Sequence, residues 1–202
     1  MIEYVKGQLA ELTPATATVE TAGGVGYLLN ISLNTYASLE NVPKTGEPVK
    51  LYVHESIRED AWVLYGFAEP QERAMFRLLV GVSGVGAATA RVILSSHSVA
   101  ELEGIISGGD VRRLKQVKGI GAKTAERIIV DLRDKIKPGE FTLLNTDISR
   151  ISATNDVYDE ALVALVTLGF ARQASQKVLD KLFSAEPDVK VETAIKKALS
   201  ML

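Results

Sequence analysis

A short motif occurs twice in this chain of 202 residues, and it limits the folds that the chain can adopt. Each copy has a glycine, an apolar residue and a second glycine, followed at once by a run that favours a helix. Because glycine permits positive φ and close approach to the backbone, each copy predicts a tight turn at the start of a helix. The copies, 35 residues apart, are Ser83-Gly84-Val85-Gly86-Ala87-Ala88-Thr89-Ala90-Arg91 and Lys118-Gly119-Ile120-Gly121-Ala122-Lys123-Thr124-Ala125-Glu126.

A helix that begins at such a turn is a candidate anion site. Its first backbone N–H groups have no acceptor within the helix, and the helix dipole places about +0.5 charge beside them. We predict these helices at 87–94 and 122–135, with Val85 and Ile120 pointing inward. Six of the seven charged side chains from 112 to 127 are basic, which favours phosphate. Two phosphate sites on one rigid unit indicate a nucleic acid held by its backbone.

Three other interpretations of the motif compete with this one. The glycines also suit ordinary turns between helices, the commoner role of a single Gly-x-Gly, although the repetition favours a shared function. A dinucleotide-binding fingerprint needs a third glycine where Thr89 and Thr124 stand. A P-loop needs a glycine at Ala122, directly before Lys123. Neither nucleotide-binding motif is therefore present in the sequence.

The two copies resemble the tandem helix-hairpin-helix motifs of the RuvA family, and 119–127 is similar to that family's second hairpin. The resemblance extends over essentially the whole chain. It implies a non-catalytic subunit that holds a four-way (Holliday) junction open and recruits and regulates a hexameric ATPase for branch migration. The implied partners are junction DNA, further copies in a homotetramer or in two tetramers around the junction, a RuvB-like ATPase and a RuvC-like resolvase. No cofactor or metal is implied.

The resemblance assigns phosphate binding to the two hairpins. This family carries a lysine just after the second glycine of hairpin one, where this chain has Ala87 and Ala88. Arg91 either replaces that lysine or is a solvated helix residue, and the sequence leaves both open. Lys118 and Lys123 are the stronger basic candidates. The predicted phosphate-binding residues are Ser83, Gly84, Val85, Gly86, Ala87 and Arg91, then Lys118, Gly119, Ile120, Gly121, Ala122, Lys123 and Thr124; a basic apron adds Arg112, Arg113, Lys115 and Arg127.

Charge is distributed unevenly along the chain. Residues 1–70 have 4 basic and 9 acidic side chains, residues 71–137 have 12 and 7, and residues 138–202 have 7 and 9. The net charge of -2 therefore hides a middle segment of +5, the segment that contains both hairpins. Local positive charge of this kind is what phosphate binding needs.

The pattern predicts an α+β multidomain chain. Residues 1–67 alternate like short strands and predict an OB-like β-barrel, with a tight turn at Gly23-Gly24 and a brief helix at 33–39. Residues 68–137 form the predicted tandem helix-hairpin-helix DNA-binding domain, whose first helix starts near Pro70. Residues 138–154 are a predicted linker, and residues 155–202 a three-helix, ubiquitin-associated-like bundle. The predicted strands are 2–12, 15–21, 25–31, 49–57 and 61–67, and the last helices 157–168, 171–183 and 191–201.

Two further sites follow from the resemblance. Acidic residues at a hairpin tip are usually solvated turn residues, but the segments 58–61 and 64–67 look like those that carry the family's acidic pin. This assigns the pin to Glu59 and Asp60, whose carboxylates would repel phosphates at the crossover and help to part the strands. In the last bundle, the turn Leu168-Gly169-Phe170 is the candidate contact with the ATPase.

Other chemistry finds little support in the sequence. Without cysteine, disulfides and thiolate metal sites are excluded. His54 and His97 are isolated from other potential metal ligands. No apolar run reaches the roughly 20 residues that span a bilayer, so we expect a cytoplasmic protein.

The rival function is a helix-hairpin-helix DNA glycosylase or lyase, in which Asp131 or Asp134 would serve as the essential carboxylate. An RNA-binding barrel is disfavoured, because the barrel is acidic and poor in aromatic platforms.

Overall fold

The computed structural model describes residues 1–42, 47–136, 156–186 and 189–202, and over these ranges the chain is an α+β protein. In these ranges five strands come first, a short helix lies between the third and the fourth, and the later elements are helices. The described residues form two compact units. The described part of the first unit ends at residue 136, and that of the second begins at residue 156. The predicted α+β class is confirmed.

The five strands close into a barrel. Their order around the barrel is β1-β2-β3-β5-β4, and β3 with β5 is the one parallel pair among antiparallel neighbours. Helix α1 (Leu33–Leu39) connects β3 to β4. Each strand lies within two residues of its predicted bounds at either end. The strands are β1 (Tyr4–Leu12), β2 (Thr16–Glu20), β3 (Gly26–Ile31), β4 (Val49–Ile57) and β5 (Trp62–Phe67).

Alternation along the strands builds the barrel core. On β4, Val49, Leu51 and Val53 are buried while Lys50 is exposed, which is the period of two that a strand imposes. Where β1 crosses β2, a Cβ on Gly7 would lie 2.0 Å from the carbonyl oxygen of Glu20. Only glycine therefore fits at this crossing.

The turn between β2 and β3 differs in detail from the prediction. Of the two glycines in the predicted tight turn, only Gly24 has positive φ, at +77. The strands separate after the pair of Glu20 with Gly26, and the Thr21 amide donates to the carbonyl oxygen of Val25 at 2.9 Å. The turn is thus wider than the two-residue hairpin that Gly23-Gly24 indicated, because five residues lie between the paired ends.

The helical part of the first unit contains the same arrangement twice. Helix α2 leads into the first Gly-apolar-Gly turn and α3 leaves it, while α5 leads into the second turn and α6 leaves it; α4 connects the two arrangements. Helix α6 ends earlier than the predicted residue 135. The helices are α2 (Pro70–Val80), α3 (Ala87–Ser96), α4 (Val99–Gly108), α5 (Val111–Lys115) and α6 (Ala122–Leu132).

Buried polar contacts hold α2 against the barrel. The carboxylate of Glu72 accepts hydrogen bonds from the hydroxyls of Ser32 and of Thr35, the latter at 2.6 Å. Burial raises the pKa of Glu72, and the two hydroxyl hydrogen bonds oppose that rise. Arg73 is also buried, forms an ion pair with Glu3 and donates to the Glu3 carbonyl oxygen at 2.9 Å. These contacts place the barrel and the hairpin helices in one unit.

The second unit is a bundle of three helices, α7 (Asp156–Thr167), α8 (Arg172–Ala185) and α9 (Val191–Leu199), within two residues of the predicted bounds. Its core is made of small and branched apolar side chains, with Leu165, Leu179 and Ala194 fully buried. The Tyr158 hydroxyl donates to the Asp180 carboxylate at 2.6 Å. Burial is the main cause that raises the pKa of Tyr158 to about 12.

The predicted linker, residues 138–154, lies outside the described residues. No helix in the described ranges combines the length and the apolar character that a membrane crossing requires.

Candidate nucleic-acid interface

The two hairpins have nearly the same backbone geometry. Gly84 has φ +92 and Gly119 has φ +90, in the left-handed region that favours glycine. In each hairpin the residue after this glycine donates a backbone hydrogen bond that closes the turn. The Val85 amide donates to the carbonyl oxygen of Val82 at 3.0 Å, and the Ile120 amide donates to that of Val117 at 3.1 Å. The sequence repeat is therefore a structural repeat.

Apolar residues fix both turns to the core. Val85 is 4% exposed and Ile120 is 6% exposed, as predicted, and both belong to the cluster that fills the helical part of this unit. The glycines on either side of them are exposed. Each turn is thus anchored by its middle residue, and its backbone is left at the surface.

The second glycine of each turn caps a helix without a side chain. Gly86 precedes α3 with φ -84 and ψ 168, and Gly121 precedes α6 with φ -81 and ψ 168; no side chain caps either helix. In the part of the chain that the structure describes, the first-turn amides therefore have no hydrogen-bond acceptor, and with the dipole they make anion sites. These amides belong to Ala87, Ala88, Thr89, Ala122, Lys123 and Thr124.

The space in front of both turns is open. A Cβ built on any of the four hairpin glycines would meet no atom within 4 Å. A phosphate can therefore come close to the backbone at both turns, which a side chain at these positions would hinder.

A side chain of α6 links the two hairpins. Arg127 donates from Nη1 to both the carbonyl oxygen and the hydroxyl of Ser83, each at 3.1 Å. Arg127 lies one helical turn beyond Lys123, so the two residues share a face of α6. The helix that leaves hairpin two is therefore in direct contact with hairpin one. The sequence indicated Arg127 only as a general basic residue, and nothing in its spacing identified Ser83 as its partner.

Arg91 points toward the barrel. Its Nη1 donates to the carbonyl oxygen of Ala15 and to the side-chain oxygen of Asn30, both at 3.2 Å. Arg91 thus ties hairpin one to the barrel. Its role as a substitute for the missing lysine stays a prediction.

The remaining basic candidates surround hairpin two. Arg113 is 3.5 Å from Glu101 in an exposed ion pair. The others are exposed and form no ion pair with any described residue; they are Arg112, Lys115, Lys118 and Lys123.

Helix α2 runs toward the tip of the β4–β5 hairpin. Arg73 donates to the carbonyl oxygen of Val53 at 3.4 Å, and further along both elements the rings of Phe76 and His54 are 5.1 Å apart. Both elements therefore advance toward the same end of the unit.

That tip is acidic and exposed. The Arg58 amide donates to the carbonyl oxygen of Ala61 at 2.8 Å, which leaves Glu59 and Asp60 as the two residues of the turn, with both side chains in solvent. The structure thus places the two pin candidates side by side in solvent at the tip of the β4–β5 hairpin.

The candidate docking turn of the C-terminal bundle is exposed. Leu168 and Phe170 lie at the surface on either side of Gly169, which has φ +99. Val163 and Val166 are exposed on the preceding helix, and sequence reasoning missed them. The available signal was that α7 carries more apolar residues than a single buried face of a helix requires.

Neither histidine belongs to a metal site in the described ranges, where no three potential ligands of the histidine, cysteine and carboxylate types come together. His54 lies on β4 and is half-buried beside the ring of Phe76, and this burial lowers the pKa of His54.

Comparison with known proteins is consistent along the chain. Family models match at 1–66 (RuvA N terminal domain), at 76–134 (SAM-like Helix-hairpin-helix tandem) and at 156–202 (RuvA, C-terminal domain). The chain is 52% identical to a protein of Bacteroides thetaiotaomicron and 50% identical to proteins of Bacteroides fragilis and Parabacteroides distasonis, with full coverage of both chains each time. All three relatives are named Holliday junction branch migration complex subunit RuvA. Sequence, fold and hairpin geometry agree, and the chain belongs to the RuvA family.

Proposed function

We propose that this chain is the junction-binding subunit of a branch migration complex. It holds a four-way junction by its sugar-phosphate backbone and leaves the bases unread. The observation that carries the proposal is the pair of exposed turns whose first-turn amides lack acceptors. The names of the relatives agree with this function.

Phosphate affinity rests on different groups in the two hairpins. Hairpin one presents backbone amides beside Ala87 and Ala88, so its affinity comes from the main chain. Hairpin two adds Lys118 and Lys123, both exposed. Because hairpin contacts neutralise phosphates and release counterions, binding is expected to depend steeply on salt.

A homotetramer suits the substrate, since four arms need four equivalent pairs of hairpins. One tetramer, or two that enclose the junction, would place an acidic tip from every copy at the crossover. The exposed turn 168–170 of the C-terminal bundle would bind a hexameric RuvB-like ATPase. Catalysis would belong to that motor and to a RuvC-like resolvase, and this subunit would act in the cytoplasm, where bacterial DNA lies.

The first test compares two DNA forms. A four-way junction and a linear duplex of the same sequence are titrated in gel-shift assays at about 50 mM and 200 mM salt. We expect at least a tenfold preference for the junction, and a fall in affinity of roughly 10⁴-fold over this salt range if about eight phosphate contacts form. Equal affinity for the two forms, or affinity that salt leaves unchanged, would contradict the proposal.

The second test addresses the acidic pin. Replacing Glu59 with Gln and Asp60 with Asn removes two negative charges and keeps the size of both side chains. Junction affinity should stay equal or become tighter, because repulsion from phosphates is lost, while strand separation at the crossover is altered. Gel shifts report affinity, and 2-aminopurine fluorescence at the crossover reports strand opening. Markedly weaker binding of the double variant would refute the role of Glu59 and Asp60 as a pin.

The glycosylase alternative is not favoured. It would use one hairpin and a nearby carboxylate such as Asp131 or Asp134. Both of these are exposed side chains at the end of α6. The second hairpin, the acidic tip and the C-terminal bundle would have no role in it.

A further inference from the structure

Two large apolar side chains lie exposed directly beneath the acidic tip. Ile57, the last residue of β4, pairs across the hairpin with Trp62, the first residue of β5. Ile57 is 69% exposed and Trp62 is 65% exposed. Trp62 is also the only tryptophan in the chain. The pair therefore forms an apolar step between the barrel and the carboxylates of 59–60.

The exposure follows from the length of the hairpin. Side chains two residues apart on a strand share a face, so Ile57 lies on the same side of β4 as the core residue Val53. Trp62 likewise shares a face of β5 with Leu64, which packs against the barrel core. The row of inward-facing apolar side chains on the β4–β5 hairpin thus extends beyond the end of the barrel core. Ile57 and Trp62 therefore stay exposed.

A protein partner does not suit this step on its own. From the usual areas of such side chains, the exposed parts of Trp62 and Ile57 amount to at most about 300 Å². A stable protein interface buries about 800 Å² on each partner. Three of the four residues that join the pair are charged, namely Arg58, Glu59 and Asp60. A small flat ligand fits better than a second protein.

We propose that Trp62, backed by Ile57, stacks on a DNA base at the branch point of the junction. This rests on the proposed function, because that function puts the acidic tip at the crossover. Branch migration passes through unpaired bases whose faces lose their stacking partner. Carboxylates repel phosphates and offer nothing to a base face, whereas an indole provides a stacking platform that accepts every base. Apolar side chains also act as wedges between base steps.

Two neighbouring parts of the β4–β5 hairpin would thus have different roles. The tip acts on the phosphates through charge, and the step directly beneath it acts on the bases through stacking. Since stacking of a base on an aromatic side chain tolerates all four bases, the contact allows the branch point to move without preference for sequence.

Intrinsic fluorescence tests the proposal, because all tryptophan emission comes from Trp62. The full chain is titrated with four-way junction and with linear duplex, and gel shifts on the same mixtures show how much DNA is bound. We expect the junction to quench the emission strongly, and the duplex to leave it nearly unchanged even when it is bound.

Variants supply the second readout. Trp62→Ser should reduce the 2-aminopurine signal of strand opening at the branch point by at least threefold and weaken junction binding three- to tenfold, whereas Trp62→Phe should retain most of both. Leu28→Ser is the matched control, since Leu28 is an apolar barrel side chain, 59% exposed, that lies on β3. It should leave both signals unchanged. Thermal melting should show that all three variants fold.

Three outcomes would overturn the proposal. If the junction is bound but neither the emission nor the strand opening responds to Trp62, the stacking contact is refuted while the proposed function stands. A blue shift that depends on protein concentration without DNA, with no response to junction, would assign the step to contact between copies. If no junction is bound at all, the proposed function fails and takes this inference with it.

Discussion

Replacing Gly86 and Gly121 together with aspartate is expected to weaken four-way-junction binding at least about 100-fold while the thermal stability of the chain stays the same or rises. Both glycines are helix N-caps with extended backbone, which any residue can adopt. A Cβ at either position meets open space. The substitution therefore introduces no clash and no strain.

The loss of binding has a direct physical reason. Aspartate is among the best N-cap residues because its carboxylate accepts hydrogen bonds from the first-turn amides. Those are the amides proposed to hold phosphate, so the new carboxylate competes with the DNA for the same donors and repels it. Hydrogen bonds to a charged group contribute about 1.5–3 kcal/mol each. Losing one at each hairpin corresponds to roughly 100-fold or more in affinity.

Stability should move the other way. A carboxylate near a helix N-terminus stabilises by about 0.3–1 kcal/mol, and aspartate caps better than glycine by a few tenths. Few surface changes raise stability and abolish binding together. Thermal melting and gel-shift titration of the same preparation measure both quantities.

Two control variants separate charge from position. Ala171→Asp adds the same group at the uncapped start of α8, outside the hairpins, and should leave junction binding unchanged. Gly86→Ala with Gly121→Ala adds a Cβ that occupies no amide and should cost much less binding than the aspartates. If the aspartate pair bound the junction as tightly as the parent chain, the hairpin amides would not be the phosphate sites.

The hairpins were predictable from sequence because their chemistry is local. A positive φ at Gly84 and Gly119, an inward Val85 and Ile120, and a helix starting at once are all consequences of a few adjacent residues. The strands were predictable for the same reason, since alternation on a barrel is a property of each segment. The prediction of the β2–β3 turn was wrong in detail. The number of residues in that turn depends on the strand register, which no local pattern encodes.

Contacts between distant segments were not predictable. Arg127 reaches Ser83 across 44 positions, and Arg91 reaches Ala15 across 76. Glu72 lies in the first turn of α2, where acids are common, but the fold brings two hydroxyls from 32–35 to its buried carboxylate. These partners depend on how the barrel and helices pack, and charge or spacing along the chain carries no signal for them.

The exposed apolar step shows a third kind of limit. Trp62 is a large apolar residue of the kind that fills a barrel core, and it shares a face of β5 with Leu64, which packs against that core. Its exposure depends on where the barrel ends along the β4–β5 hairpin, which only the closed sheet defines.

Hydrogen exchange at the hairpin amides tests the central claim most directly. In the free chain these first-turn amides have no acceptor among the described residues, so they should exchange fast. A bound phosphate supplies the acceptor. Exchange at 87–89 and 122–124 should therefore slow by at least about tenfold when four-way junction is added.

The measurement is made amide by amide, by mass spectrometry with electron-transfer fragmentation, at a junction concentration where gel shifts show full binding. The uncapped first turn of α8 serves as an internal reference and should exchange at the same rate with and without DNA. Slower exchange at both hairpins, with the α8 reference unchanged, is the expected result. Unchanged exchange at both hairpins in the fully bound complex would contradict the claim that their amides hold the DNA backbone.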